Sequence, residues 1–158
     1  MKVIGVIGRK NAGKTTLTER LVRELVDRGL TVTTLKRSHH GLDLEVPGTD
    51  SHRHRLAGAR QTVLASDARL AVMEETPRPL TLDQILTRIA PCDMVVAEGW
   101  KAGTHPRIEA WRSACTEPPL CLSDPTIAAF ASDTPHQVVP PSFDLNDIQA
   151  LADFVCSI

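Results

Sequence analysis

The chain has 158 residues, which suits one compact domain, 1–158, and leaves little room for a second. Its formal net charge of −1 excludes the general basic surface of a nucleic-acid-binding protein, so an anionic ligand needs a local site. No apolar run is long enough to cross a membrane, and none resembles a signal peptide, so we expect a cytoplasmic protein with reduced cysteines.

The N-terminal part predicts a strand, a glycine loop, a helix and a second strand. Met1–Ile7 is a short apolar strand, and leucine and valine at helical spacing predict a helix over Thr15–Arg28, which Gly29 ends. Thr31–Lys36 is the next predicted strand. Strands joined through a helix in this way run parallel, so the unit predicts an α/β fold.

The rest of the chain predicts further strands and helices separated by loops. Helices are predicted over Ser51–Gly58, Leu80–Ala90 and Asp144–Cys156. Strands are predicted over Gln61–Ala65, Arg69–Met73, Asp93–Ala97, Arg107–Trp111, Ile127–Ala131 and Gln137–Val139. The polar segments Arg37–Asp50 and Glu117–Pro125 are predicted loops.

The stretch GRKNAGKTTL, residues 8–17, matches the phosphate-binding pattern G-x-x-x-x-G-K-[ST]. Gly8 and Gly13 allow a tight turn that points backbone N–H groups at phosphate oxygens. Lys14 can reach the β- and γ-phosphates, and Thr15 offers a hydroxyl to Mg²⁺. Because a strand precedes the loop and a helix follows it, we predict nucleotide binding. The other predicted cofactor-binding residues of the loop are Arg9, Lys10, Asn11, Ala12 and Thr16. Arg9 and Lys10 either contact phosphate or are solvated, and Thr16 either contacts the α-phosphate or is simply a residue of the first helical turn.

An acidic residue follows the apolar strand MVVA. P-loop proteins usually carry an acid after another strand that helps to hold Mg²⁺, and Glu98 fits that position. Glu98 is therefore a candidate metal ligand and, if it orients water, the candidate catalytic residue; the alternative is a solvated strand-end carboxylate. Asp93 begins the same strand and is expected to be structural.

The segment KRSHHGLDLEVPGTDSHRHR is dense in charge and histidine, and it leaves the carboxyl end of a strand. It either contributes to the ligand site or forms a solvated loop with an exposed helix. The histidines at 52 and 54 are two positions apart and would not share a helix face, which disfavours a transition-metal site. The candidate contacts to Mg²⁺, water, an anion or a second ligand are His39, His40, Asp43, Asp50, Arg53 and Arg55.

With these motifs the chain resembles the MobB family, the molybdopterin-guanine dinucleotide biosynthesis adaptor proteins. The matching stretches are GRKNAGKTTL, KRSHHGLDLEVPGTDSHRHRLAGA, VVAEGWK, RIEAWR and IAAFASD, in the expected order. The resemblance implies a P-loop NTPase-type fold, a three-layer α/β/α arrangement with a mainly parallel sheet. It also implies GTP and Mg²⁺ as cofactors, weak GTP hydrolysis, a homodimer, and assistance to a MobA-type guanylyltransferase that joins GMP to molybdopterin. Under the resemblance, Thr15, Asp50 and Glu98 would serve the metal.

The loop departs from the family pattern, because Asn11 and Ala12 stand where Ser and Gly are usual, and Trp100 stands where Phe is more usual. Phosphate binding is expected to survive, since backbone N–H groups make those contacts. The guanine-reading tetrapeptide N-K-x-D is absent. Asp133 follows a predicted strand and is either a base-reading acid that accepts from guanine N1–H and N2–H₂ or a turn residue.

The sequence therefore predicts a GTP-binding accessory factor with slow turnover, in which GTP orders the 37–50 loop and changes a partner surface. Two alternatives remain open: a P-loop kinase that phosphorylates a small metabolite, and a dimeric interaction protein whose nucleotide is structural.

Overall fold

The computed structural model describes residues 1–38 and 44–158. Its contacts divide the chain into a first unit of Met1–Ser38 with Ile89–Ile158 and a second unit of His39–Arg88. The single-domain prediction stays a prediction. Within the described ranges, no helix has the length and apolar character needed to span a membrane.

The described residues form eight strands and four helices. The strands are β1 (Lys2–Ile7), β2 (Val32–Lys36), β3 (Gln61–Ala65), β4 (Leu70–Glu74), β5 (Met94–Glu98), β6 (Arg107–Trp111), β7 (Ala129–Ser132) and β8 (Ser142–Asp144). The helices are α1 (Lys14–Asp27), α2 (Asp50–Leu56), α3 (Leu82–Leu86) and α4 (Ile148–Ser157), with a 3₁₀ turn at Leu120–Leu122. Most predicted elements are confirmed with small shifts at their ends.

The first unit contains a six-stranded sheet in the order β2-β5-β1-β6-β7-β8, in which every neighbouring pair is parallel. The predicted α/β class with a mainly parallel sheet is therefore confirmed. Because β1 lies between β5 and β6, the loop that follows it leaves the middle of the sheet at the carboxyl edge. Ligands of open parallel sheets bind at this edge.

The last strand was predicted in the wrong place. The prediction was Gln137–Val139, but the side chain of Val139 is fully exposed and the strand that pairs with β7 is Ser142–Asp144. Two prolines, which have no N–H to donate, separate the two segments. Phe143 of β8 instead packs its ring against Phe154, with the ring centroids 5.3 Å apart.

Two helices are shorter at their N-termini than the sequence predicted, because side chains cap them at later residues. Thr81 accepts a hydrogen bond from the backbone N–H of Gln84 and starts α3 at Leu82. Asp147 accepts from the N–H of Ala150, 3.1 Å away, and starts α4 at Ile148.

The two faces of the sheet have different cores. On one face, α1 and α4 pack with the alternate strand residues Val6, Ile108 and Ala129 in an aliphatic cluster. The buried stripe of α1 is Leu17, Leu21 and Leu25, as its helical spacing predicts. The opposite face holds a smaller cluster around Ile7, Trp111, Cys121, Ile127 and Phe130.

The second unit contains the antiparallel hairpin of β3 and β4. The predicted turn at Ser66 is confirmed, since the N–H of Ser66 donates to the carbonyl of Arg69 over 2.8 Å. Helix α2 contacts β3 within this unit.

Candidate nucleotide-binding site

The loop between β1 and α1 has a backbone that requires glycine at its start. Gly8 has a φ of 148°, and a Cβ at this position would lie 2.3 Å from the carbonyl oxygen of Ala110 in β6. Gly13 has a φ of 87° and immediately precedes α1. The glycines of the motif therefore let the backbone pass against the neighbouring strand and then turn into the helix.

The loop ends at a helix N-terminus that no side chain caps. Gly13 is the N-cap residue of α1 and offers no side-chain acceptor. The first backbone N–H groups of α1 have no partner within a helix. They point, with the positive end of the helix dipole, to the space above the loop, which is the arrangement that binds phosphate.

Lys14 lies half-buried inside the loop. Its Nζ donates to the carbonyl oxygen of Arg9 over 2.6 Å, so the ammonium folds back over the turn. Burial lowers the pKa of Lys14, and the Glu98 carboxylate opposes that effect. The positive charges of Lys101 and Lys36 lower the pKa further. Several cations therefore converge where the phosphate chain of a nucleotide would lie.

Glu98 lies beside the loop, as its position at the strand exit predicted. The carboxylate is nearly buried, and its Oε1 accepts a hydrogen bond of 3.0 Å from the hydroxyl of Thr15. The parallel register of β1 and β5, which pairs Val6 with Glu98, produces this contact. A hydroxyl and a carboxylate are the hard oxygen donors that Mg²⁺ prefers.

A cavity of about 390 Å³ lies over the loop. Its lining residues are Lys10, Asn11, Ala12, Gly13, Lys14, Thr15, Thr16 and Glu98. The structure thus brings together most of the residues that the motif selected. Arg9 points elsewhere and forms an ion pair with Glu117, with Nη1 and Oε2 2.7 Å apart.

Asp133 lies just beyond the carboxyl end of β7, two strands along the sheet from β1. It lines a second cavity of about 270 Å³ with Phe130, Ser132, Thr134, Pro135, His136, Ser142, Phe143 and Asp144. Its two carboxylate oxygens accept hydrogen bonds from the N–H and the hydroxyl of Ser113, at 2.8 and 3.1 Å. These contacts fix the carboxylate at the cavity wall.

The remaining predicted residues belong to the second unit or lie outside the described residues. Asp50 begins α2 in the second unit, and its role as a metal ligand stays a prediction. His39, His40 and Asp43 lie outside the described residues. Across 1–38 and 44–158, no group of three or more His, Cys, Asp or Glu side chains is arranged to hold a metal ion.

Three residues with polar contacts in the first unit were missed by the sequence analysis, and two of them lie beside the site. Lys36 places its Nζ 3.4 Å from Oε1 of Glu98. A Cβ at Gly13 would lie 3.4 Å from Cδ and Nε of Arg112, so this arginine follows the loop closely. The signal in both cases is a cation at the end of a predicted strand, the position already used to select Glu98.

The third is Arg107, which is buried at the start of β6. Its guanidinium donates to the carbonyl oxygen of Lys101 and to the hydroxyl of Thr126. Its Nη1 also lies 3.4 Å from Oδ2 of Asp124. It thereby ties the segment after Glu98 to the loop before β7. No sequence signal distinguishes this arginine from an exposed one.

Comparison with known proteins agrees with this geometry. Residues 3–133 match the family model described as molybdopterin guanine dinucleotide synthesis protein B, MobB. The molybdopterin-guanine dinucleotide biosynthesis adapter protein of Haemophilus influenzae is 37% identical over 97% of this chain and 86% of that protein. Its namesake from Escherichia coli is 38% identical over 90% of this chain and 85% of that protein.

Solved structures show the same fold. A crystal structure of molybdopterin-guanine biosynthesis protein B superposes with a TM-score of 0.78 at 26% identity, covering 98% of both chains. The MobB homologue from Bacillus stearothermophilus gives a TM-score of 0.72 at 28% identity and covers all of both chains. The chain belongs to the MobB family.

Proposed function

We propose that the protein is a GTP-binding adapter that assists guanylyltransfer from GTP to molybdopterin, which forms molybdopterin guanine dinucleotide. Membership of the MobB family supports the adapter role in the biosynthesis of this dinucleotide. The observation that carries the nucleotide part is the hydrogen bond between Thr15 and Glu98. It lies beside the glycine loop and the N-terminus of α1, which no side chain caps.

The residues present fit Mg²⁺ bound together with a nucleotide. Thr15 and Glu98 supply two oxygen donors, and Mg²⁺ usually keeps several waters and takes its other ligands from phosphate. When bound, the ion neutralises phosphate charge. Lys14 would release the carbonyl of Arg9 and bind phosphate oxygens, which restores the solvation that its ammonium lacks in the loop.

The second cavity supports guanine as the base. Asp133 is held by Ser113 with both oxygens at the cavity wall. A carboxylate oxygen has two lone pairs, so each keeps one for a ligand. Guanine presents N1–H and N2–H₂ as donors to such a carboxylate, whereas adenine presents an acceptor at N1.

The geometry also supports slow hydrolysis. Glu98 is the carboxylate that lines the phosphate cavity, and its Oε1 already accepts from Thr15 and lies beside Lys36. A carboxylate that binds Mg²⁺ shares its electrons with the ion and is therefore a poor base for water. We therefore assign Glu98 primarily to the metal and expect weak GTP turnover.

The partners follow from the family rather than from the geometry. We propose a MobA-type molybdopterin guanylyltransferase as the partner enzyme, a homodimer as the functional form and the cytoplasm as the location. If the adapter proposal holds, adding the protein to such an enzyme with GTP and molybdopterin increases the yield of the dinucleotide. An unchanged yield would contradict the adapter proposal.

Equilibrium binding of fluorescent GTP and ATP analogues with Mg²⁺ tests the nucleotide proposal directly. Lys14→Ala should lose binding of both analogues, and Asp133→Asn should weaken GTP binding while sparing ATP. Lys2→Ala and Asp27→Asn, which change the same residue types outside the two cavities, should match the wild type. Equal loss of both nucleotides in Asp133→Asn would remove the base assignment, and a preference for ATP would favour the kinase alternative.

A further inference from the structure

Lys36 and Glu98 end two neighbouring strands at the same edge of the sheet. The parallel register of β2 and β5 pairs them directly. The Nζ of Lys36 lies 3.4 Å from Oε1 of Glu98, the oxygen that also accepts from the hydroxyl of Thr15. The Glu98 side chain is 10% exposed, whereas that of Lys36 is 66% exposed. A nearly buried carboxylate therefore has a cation partner whose side chain lies mostly in solvent.

The ammonium of Lys36 stands beside the oxygen that a metal ion would use. Mg²⁺ binds its oxygen ligands at about 2.0–2.1 Å. An ion on Thr15 and Glu98 would consequently lie within a few ångströms of the Lys36 ammonium. Two cations this close repel each other, although water around the exposed Lys36 makes the repulsion smaller than it is in a dry interior. Lys36 and Mg²⁺ are therefore expected to compete for Glu98.

The phosphate chain of a bound nucleotide offers a displaced Lys36 a new anionic acceptor. Lysine is a compact point charge on a flexible stem, so it can exchange one anionic partner for another. The strands β2, β5 and β1 are adjacent and parallel, which puts the end of β2 at the same edge as the phosphate loop.

We propose that Lys36 exchanges Glu98 for the terminal phosphate when Mg²⁺ and GTP bind, and that this exchange makes the site prefer GTP over GDP. The inference rests on the proposed function. GDP lacks the terminal phosphate, so Mg²⁺ displaces Lys36 without offering it that partner. Lys36 thereby acts as a specificity residue for the triphosphate.

The test is the ratio of the GDP and GTP dissociation constants, measured with and without Mg²⁺. With Mg²⁺, Lys36→Met should lower the preference for GTP by about tenfold, the effect of one charge-assisted hydrogen bond. Lys36→Arg keeps the charge and should retain most of the preference. Lys2→Met is the matched control, because Lys2 lies at the opposite end of β1 and its Nζ donates to the carbonyl of Cys156.

The dependence on Mg²⁺ distinguishes the exchange from a permanent contact between Lys36 and phosphate. In EDTA, wild type and Lys36→Met should give the same ratio, because Lys36 then stays on Glu98. An unchanged ratio in Lys36→Met with Mg²⁺, or an equal decrease with and without Mg²⁺, would overturn the exchange. If wild type does not bind GTP, or Lys14→Ala binds as well as wild type, the proposed function fails instead. Circular dichroism checks folding, and Lys36→Gln, which can still donate to Glu98, replaces Lys36→Met if that variant unfolds.

Discussion

Gly8→Ala should disable the phosphate loop and destabilise the fold. The added Cβ would lie 2.3 Å from the carbonyl oxygen of Ala110, and this oxygen belongs to a strand in the interior of the sheet. The positive φ alone costs about 1–2 kcal/mol for a residue with a Cβ. Forcing an extra carbon into a packed region costs typically about 1–3 kcal/mol more. We expect a loss of about 2–5 kcal/mol in the free energy of unfolding, from these two terms together.

Gly29→Ala is the matched control. Gly29 has a φ of 85°, and a Cβ there meets nothing within 4 Å, so only the conformational cost of about 1–2 kcal/mol remains. Urea unfolding measures both variants, and fluorescent GTP binding should be lost only in Gly8→Ala. Equal destabilisation of the two variants, together with GTP binding by Gly8→Ala at the wild-type affinity, would refute the argument that the close approach to Ala110 requires glycine.

Three further predictions concern residues that hold the first unit together. Glu109 is fully buried, and its carboxylate accepts hydrogen bonds from the N–H groups of Leu120 and Cys121 at 2.6 and 2.8 Å. Glu109→Gln removes the negative charge and points an amide N–H at one of these donors, so urea unfolding should show a loss of about 2–4 kcal/mol in the free energy of unfolding. Burial, with Glu109 nearby, raises the pKa of the Cys121 thiol to about 12, so a thiol reagent should label Cys121 slowest among the four free cysteines until the protein is unfolded. Hydrogen bonds from the hydroxyl and then the N–H of Thr31 lower the pKa of Asp93, so the ionised carboxylate stabilises the fold. This contribution is present above the unfolded-state pKa of about 3.9 and is lost as pH falls through the lower folded-state pKa. The difference in free energy of unfolding between wild type and Asp93→Asn should therefore shrink in acid.

Local patterns were sufficient to predict the parts of the site that depend on neighbouring residues in the chain. The glycine loop needs a strand before it and a helix after it, and each can be recognised from its own period of apolar residues. The placement of Glu98 also followed from a general rule, because the carboxyl ends of parallel strands meet at one edge. Asp93 was correctly expected to be structural, since it lies just before the strand that Glu98 ends and its carboxylate accepts from Thr31 at the opposite edge.

Contacts between strands distant in sequence could not be predicted in this way. Lys36 contacts Glu98 only because β5, rather than β1, is the neighbour of β2. No local sequence pattern predicts this order of the strands. Arg107 and Glu109 alternate with apolar residues in β6 as if they faced solvent, yet both are buried. Loop groups more than a few residues away bind both side chains. Lys101 and Thr126 accept from the two Nη atoms of the arginine, whose buried Nε has no partner among the described residues, and backbone N–H groups donate to the glutamate.

The residues between the two motif glycines of the phosphate loop include Asn11 and Ala12, and both stand where the backbone tolerates a side chain. Asn11 has a φ of 62°, and asparagine enters the left-handed region more readily than most residues with a Cβ. The side chain of Ala12 is completely buried, so a methyl group fills space that a glycine would leave empty. The phosphate contacts of such loops come from backbone N–H groups, whose directions depend on φ and ψ. A substitution that the local φ accommodates therefore preserves the binding surface, whereas Gly8, whose Cβ would meet a neighbouring strand, has no such freedom.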